Sequence, residues 1–197
     1  MADSKTRISK QPEERRQEML DTAMRVFTQK GYEQTTMRDI AKEMNVVPGL
    51  CYRYFESKQM LYQTAVKQYA DDYCAPIINI LDKAEADVSA LHKTLAEHFS
   101  RIGDNEKYHG FFHKPENKDF AIMLNHTICD ILTPHFSNVL KRLADAEKAL
   151  VLDSDAYARF LLFGLVSVMD DDAKPVGQRI MLASEIAKKL LTAEGRQ

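Results

Sequence analysis

Residues 36–55 read Thr36-Met37-Arg38-Asp39-Ile40-Ala41-Lys42-Glu43-Met44-Asn45-Val46-Val47-Pro48-Gly49-Leu50-Cys51-Tyr52-Arg53-Tyr54-Phe55. Thr36 followed three residues later by Asp39 is a capping-box pairing that opens a helix. Met37, Ile40, Ala41 and Met44 then recur at i, i+3, i+4 and i+7, giving about two turns with one apolar face. Asn45 tolerates the left-handed backbone that a tight turn requires. Pro48 fits the first position of a second short helix, because its missing N–H would have no partner there. Two short helices across a tight turn form a helix-turn-helix, and the second helix carries Tyr52, Arg53 and Tyr54. Such a helix has the width of the DNA major groove. Tyrosine hydroxyls, Lys58 and helix N-terminal amides suit phosphates, and Arg53 has the donor geometry for guanine or for the backbone. Periodicity alone fits a plain helical hairpin with core tyrosines equally well.

Helix signals continue on both sides. Upstream, residues 1–11 are polar and basic (Lys5, Arg7, Lys10) and read as a flexible arm. Pro12, Glu13 and Glu14 start a helix whose apolar stripe is Met19, Leu20, Ala23, Val26 and Phe27, and Gly31 stops it. Downstream, Ser57 caps a helix with Leu61, Ala65, Tyr69 and Tyr73 at every fourth position, and Pro76 is expected to bend or end it. Val88, Leu91, Leu95, Phe99 and Ile102 mark a helix that Gly103 stops. The stretch 104–115 is loop-rich, with one helical turn. A long helix follows over about 117–148, with Pro134 expected to kink it, and then helices over about 153–172 and 176–193. The chain reads as all-α, with about nine helices: an arm at 1–11, a helix-turn-helix domain at 12–56 and a helical bundle at 57–197.

Composition narrows the classes further. The 197 residues are 45% hydrophobic and 28% charged, with net charge −2 and only 7 Gly and 6 Pro. That is a globular, helix-rich balance. No apolar run approaches the roughly 18 residues of a membrane span, and the first residues show no secretion signal. Cys51, Cys74 and Cys129 are isolated and odd in number, which suits reduced thiols in a cytoplasm. Charge is unevenly divided: residues 1–70 hold 12 Lys/Arg against 9 Asp/Glu, and residues 71–197 hold 15 against 20. A basic N-terminal module facing phosphates fits that division.

Residues 15–62 resemble the DNA-binding region of the TetR family of bacterial regulators. The pattern comprises Ala23 and Phe27 before Gly31-Tyr32, then Thr35 to Ala41, then Val46, Gly49, Tyr52-Arg53-Tyr54-Phe55 and Ser57-Lys58-Leu61. The resemblance implies that Thr36, Arg38, Gly49, Leu50, Tyr52, Arg53 and Tyr54 face double-stranded DNA and that Lys58 holds a phosphate. The chain departs from the family at Val47 and Leu50, where small hydroxyl residues are common, and at Pro48, where Lys or a polar residue is common. Operator preference therefore cannot be carried over, and Leu50 becomes a candidate for a thymine methyl. Cys51 stands at an aliphatic position and reads as core.

The helix over 153–172 is apolar nearly all round (Phe160, Leu161, Leu162, Phe163, Leu165, Val166, Val168, Met169), which calls for cover on more than one side. TetR-like proteins pair through their last two helices, so the resemblance implies a homodimer and a palindromic operator. It also implies a small-molecule effector inside the bundle. Candidate lining residues are Tyr69, Tyr73, Phe99, Ile102, Phe112, Met123, His126, Thr127 and Phe163, an aromatic and methionine-rich set suited to an apolar or aromatic ligand. No catalytic motif or cofactor fingerprint stands out. His109 with His113 has metal-ligand spacing if the segment is helical, but reads as ordinary polar partners, and the run Asp170-Asp171-Asp172 reads as a solvated helix end rather than a divalent site. The reading is a ligand-responsive transcriptional repressor. The alternatives are a ligand-independent DNA-binding protein of the same fold and, more remotely, a helical carrier or enzyme.

Overall fold

The computed structural model describes residues 11–102, 117–147, 153–169 and 173–191. Among them are eight helices: α1 (Pro12–Lys30), α2 (Met37–Glu43), α3 (Pro48–Tyr54), α4 (Lys58–Lys83), α5 (Val88–Ile102), α6 (Lys118–Glu147), α7 (Ser154–Met169) and α8 (Val176–Leu191). No strand occurs among the described residues. The all-α reading holds; the additional turn expected within 104–115 lies outside the described residues. None of the described helices is long and apolar enough to cross a membrane. The chain divides into two compact units, the first built on residues up to Gln68 and the second beginning at Tyr69, so that the division falls within α4.

Local chemistry explains the first unit. Glu14 accepts from the Gln11 N–H at 3.3 Å and, with Glu13, places acids in the first turn of α1. Gly31 ends the helix at φ 83°, its N–H bonded to the Phe27 carbonyl at 2.8 Å. The capping box forms as expected: Thr36 Oγ1 accepts from the Asp39 N–H at 3.2 Å, and Asp39 Oδ2 accepts from the Thr36 N–H at 2.9 Å. Asn45 adopts φ 54°, and the next N–H, of Val46, reaches back to the Ala41 carbonyl at 2.9 Å, closing α2. Ser57 Oγ accepts from the Met60 N–H at 3.0 Å and so caps α4.

The core of this unit is Met19, Leu20, Ala23, Val26, Phe27, Ile40, Cys51, Phe55, Leu61 and Tyr62, all nearly inaccessible. Phe27, Tyr32 and Tyr62 meet in a three-ring cluster with centroids 5.1–5.6 Å apart. Cys51 is fully buried and burial raises its thiol pKa, which suits a core position and disfavours a reactive thiolate. Helices α1 with α2, and α2 with α3, pack directly on each other.

In the second unit, α5 and α7 each pack against α8. Cys74, Ile77, Leu81, Leu124, Ile128, Cys129, Leu132, Phe136, Val139 and Leu161 are buried. Burial pushes the Cys74 thiol up to about 12. The polar ties are His135 Nδ1 to Asp82 (2.8 Å), Arg142 to the Leu81 carbonyl (2.7 Å), Arg159 to Asp130 (3.0 Å), and His92 to Ser184. Pro76 and Pro134 do not end their helices: α4 continues to Lys83 and α6 to Glu147. Both prolines are exposed, as are Asp72 and Asp130, whose carbonyls lose their helical donors, so water can satisfy them.

Candidate nucleic-acid interface

The outward side of α2 and α3 follows from what the core takes. Met37, Ile40 and Ala41 of α2 and Cys51 of α3 are buried, which leaves Arg38, Lys42, Gly49, Tyr52 and Arg53 outside the core. Tyr52 is 52% exposed. Leu50 and Tyr54 are half-buried at the shoulder of the same short helix. Arg38, Lys42 and Arg53 make no side-chain hydrogen bond or ion pair among the described residues. Other cations of the unit are engaged: Arg15 with Glu18 at 2.6 Å, Arg25 with Glu43, Lys30 with Asp39 at 3.2 Å, and Arg16 over the Phe55 ring at 5.2 Å. Three free cations on two packed helices, beside an exposed tyrosine, suit the phosphates and base edges of DNA.

Two of the expected contacts carry structural duties as well. The Thr36 hydroxyl donates to Asp39 Oδ2 at 2.6 Å, so its single donor is engaged within the capping box. Lys58 Nζ donates to the Tyr32 carbonyl at 2.8 Å and lies 4.1 Å from the centre of the Tyr32 ring. An ammonium has three donors, so two remain for a phosphate. Hydrogen bonds from the Thr36 side chain and backbone, with Lys30 alongside, hold the Asp39 carboxyl at about 2.

The candidate effector residues are only partly brought together. Tyr69 is buried and its ring lies 6.3 Å from that of the half-buried Tyr73. Phe99, Met123 and Thr127 are half-buried, and the Thr127 hydroxyl donates to the Met123 carbonyl at 2.8 Å. His126 does not look inward as expected: it is exposed, its ring edge-on to Phe163 at 4.8 Å. The buried arc of α6 runs through Leu124, Ile128 and Leu132 and passes His126 by. Asp130, one turn further along α6, pairs with Arg159. The Ile102 side chain and Phe112 lie outside the described residues, as do His109, His113 and Asp170 to Asp172. Sequence reasoning missed buried polar atoms of the second unit that have no hydrogen-bond partner among the described residues, His98 Nε2, Ser137 Oγ and Arg142 Nε among them. Such atoms mark places where a water or a polar ligand group belongs. Burial, with Arg101 nearby, holds the His98 pKa below its usual range.

Residues 19–65 match the bacterial regulatory proteins of the tetR family. Over 90 residues the chain is 32% identical to YuxN of Bacillus subtilis, an uncharacterized HTH-type transcriptional regulator; the match spans 46% of this chain and only 31% of that protein. Over 147 residues it is 29% identical to IcaR of Staphylococcus aureus, the negative transcriptional regulator of a biofilm operon, spanning 74% of this chain and 77% of that one. Among solved structures, a TetR-family transcriptional regulator from Pectobacterium atrosepticum superposes with TM-score 0.63 at 19% identity, over 91% of this chain and 93% of that one. The regulator FadR from Bacillus subtilis, in complex with stearoyl-CoA, gives 0.61 at 21% identity over 90% and 97%. At these identities the structural likeness speaks for the fold alone.

Proposed function

We propose, for a chain that belongs to the tetR family of bacterial regulatory proteins, that it is a transcriptional repressor that binds a palindromic operator as a homodimer and leaves it when a small molecule binds the helical bundle. The observation that carries the reading is the trio Arg38, Lys42 and Arg53, unpaired on the outward side of α2 and α3. Free cations on a helix-turn-helix supply the phosphate attraction on which DNA affinity rests. Residues 12–56 act as the DNA-binding domain and residues 57–197 as the effector and dimerisation domain, and a DNA-bound regulator works in the cytoplasm.

Pairing through the last two helices is supported by apolar side chains that the described residues leave largely uncovered. Phe160 of α7 is 69% exposed and Met181 of α8 is 57% exposed, on helices that pack together. A two-fold dimer through this surface sets the two recognition helices against half-sites a whole number of DNA turns apart. An effector that lowers operator affinity a hundredfold must favour the released state by about 2.7 kcal/mol. The bundle's half-buried Tyr73, Phe99, Met123 and Thr127, with His98 and Ser137, are the groups through which this would act.

The test is a footprint across the DNA upstream of the protein's own coding region, repeated with candidate ligands. Protection of an inverted repeat is expected. Stearoyl-CoA is the first ligand to try, because the structurally similar FadR is seen with it. A chain that protects no DNA at any salt concentration would overturn the reading.

A further inference from the structure

The first turn of α3 is poor in polar groups for a helix on a DNA-facing side. Val47 precedes the helix at φ −74°, ψ 142°, and its side chain offers no hydrogen bond to the first turn. It is nonetheless 66% exposed, more than any other large apolar side chain among the described residues of the first unit. Pro48 has no N–H, and the Leu50 N–H is bonded to the Val47 carbonyl at 2.9 Å. Gly49 lacks a side chain although a Cβ there would meet nothing within 4 Å. Glycine within a helix is less favourable than alanine, so no demand inside the protein accounts for it. Its use is external: a surface can approach the helix backbone closely at that point.

An isopropyl group two residues before the open flank of Gly49 is left mostly uncovered by the described residues. The unpaired Arg38, Lys42 and Arg53 of the same two helices attract a polyanion. In the major groove of DNA the one apolar feature that base pairs present is the thymine C5 methyl. Resting on the DNA-binding reading above, we infer that Val47, with the half-buried Leu50 one turn on, selects the operator by covering a thymine methyl. Sequence is then read at this position by the burial of a methyl group, with Arg53 and Arg38 supplying polar contacts to either side.

The test uses the full-length protein and a duplex selected with it from a random library. Each thymine is replaced in turn by deoxyuracil, which removes the methyl and leaves every hydrogen-bonding group. Burying one methyl is worth about fourfold in affinity. The wild-type chain should lose about fourfold at one thymine of each half-site and little elsewhere. Val47→Thr keeps the side-chain shape, exchanges a methyl for a hydroxyl and adds a helix-capping group, so the protein should melt no lower than the parent. It should bind the thymine duplex up to about sixteenfold less tightly, about fourfold at each half-site of the dimer, and show a smaller drop with uracil at that position. An enriched sequence whose uracil profile is the same for wild type and Val47→Thr overturns the inference alone. A library in which no sequence is enriched overturns the DNA-binding reading and the inference together.

Discussion

Replacing Lys58 by Met separates its two duties, because the apolar stem stays while the charge goes. In the native fold the ammonium donates to the Tyr32 carbonyl at 2.8 Å and sits 4.1 Å from the centre of that ring. A hydrogen bond from a charged donor contributes about 1.5–3 kcal/mol and a cation–π contact about 0.5–2 kcal/mol. Lys58 is only half-buried, so the low end of each range applies and the sum is about 2 kcal/mol. Urea unfolding followed by tyrosine fluorescence should show that loss; the chain has no Trp to obscure the signal. In a Tyr32→Leu background, which keeps the carbonyl and removes the ring, Lys58→Met should cost about 0.5 kcal/mol less, the cation–π share. The same variant should lower the slope of log affinity against log salt by about 0.9 per protomer, because one phosphate is no longer neutralised. A stability change under about 0.5 kcal/mol would refute the structural duty. An unchanged salt slope in a destabilised variant would refute the phosphate-binding role and make Lys58 a brace for Tyr32 alone.

Three further outcomes follow from the same geometry. Arg53→Ala should cost about 1–3 kcal/mol per half-site and relax base preference at one symmetric pair of positions, measured against single-base operator variants; a uniform loss would make Arg53 a backbone contact. Phe160→Glu should leave the protomer folded, because the ring is 69% exposed, yet put an unpaired charge into the proposed dimer seam. Sedimentation should then show monomers and the dimer should weaken by about 3 kcal/mol or more, so a variant that stays dimeric places the seam elsewhere. Asp39, held at about 2 against an ordinary 3.8, stabilises the fold at every pH above about 4. That contribution disappears as pH falls from about 4 towards 2, and Asp39→Asn should flatten this part of the acid-denaturation curve.

The elements legible in the sequence are those fixed by neighbours along the chain. Thr36 with Asp39, Ser57 with Met60, Gly31 with Phe27 and Asn45 at its turn all act within four residues, and all stand where residue type places them. Prolines are harder to read, because their effect depends on whether water can reach the carbonyls they leave without a donor, and Pro76, Pro134, Asp72 and Asp130 are all exposed. Periodicity fails at His126 because a 30-residue helix buries different arcs along its length. It also gives no means of choosing which side of the apolar α7 lacks cover, and that side carries Phe160. Least legible are ties across long stretches of chain, such as Lys58 to Tyr32 and Arg25 to Glu43, since no spacing announces them.

Those long-range ties, together with local pairs, decide which Lys and Arg side chains stay unpaired. A modest excess of Lys and Arg over residues 1–70 would, if evenly spread, favour no particular side of the module. Pairing makes it local. Arg15, Arg25 and Lys30 are neutralised by Glu18, Glu43 and Asp39, while Arg16 and Lys58 lie over aromatic rings. Glu13, Glu14, Glu18 and Asp21 gather along one side of α1, where a phosphate backbone would be repelled. Arg38, Lys42 and Arg53 remain on α2 and α3 with nothing among the described residues to neutralise them. Over distances near the Debye length, about 8 Å in physiological salt, such a local field orients the module before any base is touched. Orientation and selection then fall to different groups. On the reading proposed above, the cations bring α3 to the groove, and the uncharged Val47, Gly49 and Leu50 are the groups whose fit depends on sequence.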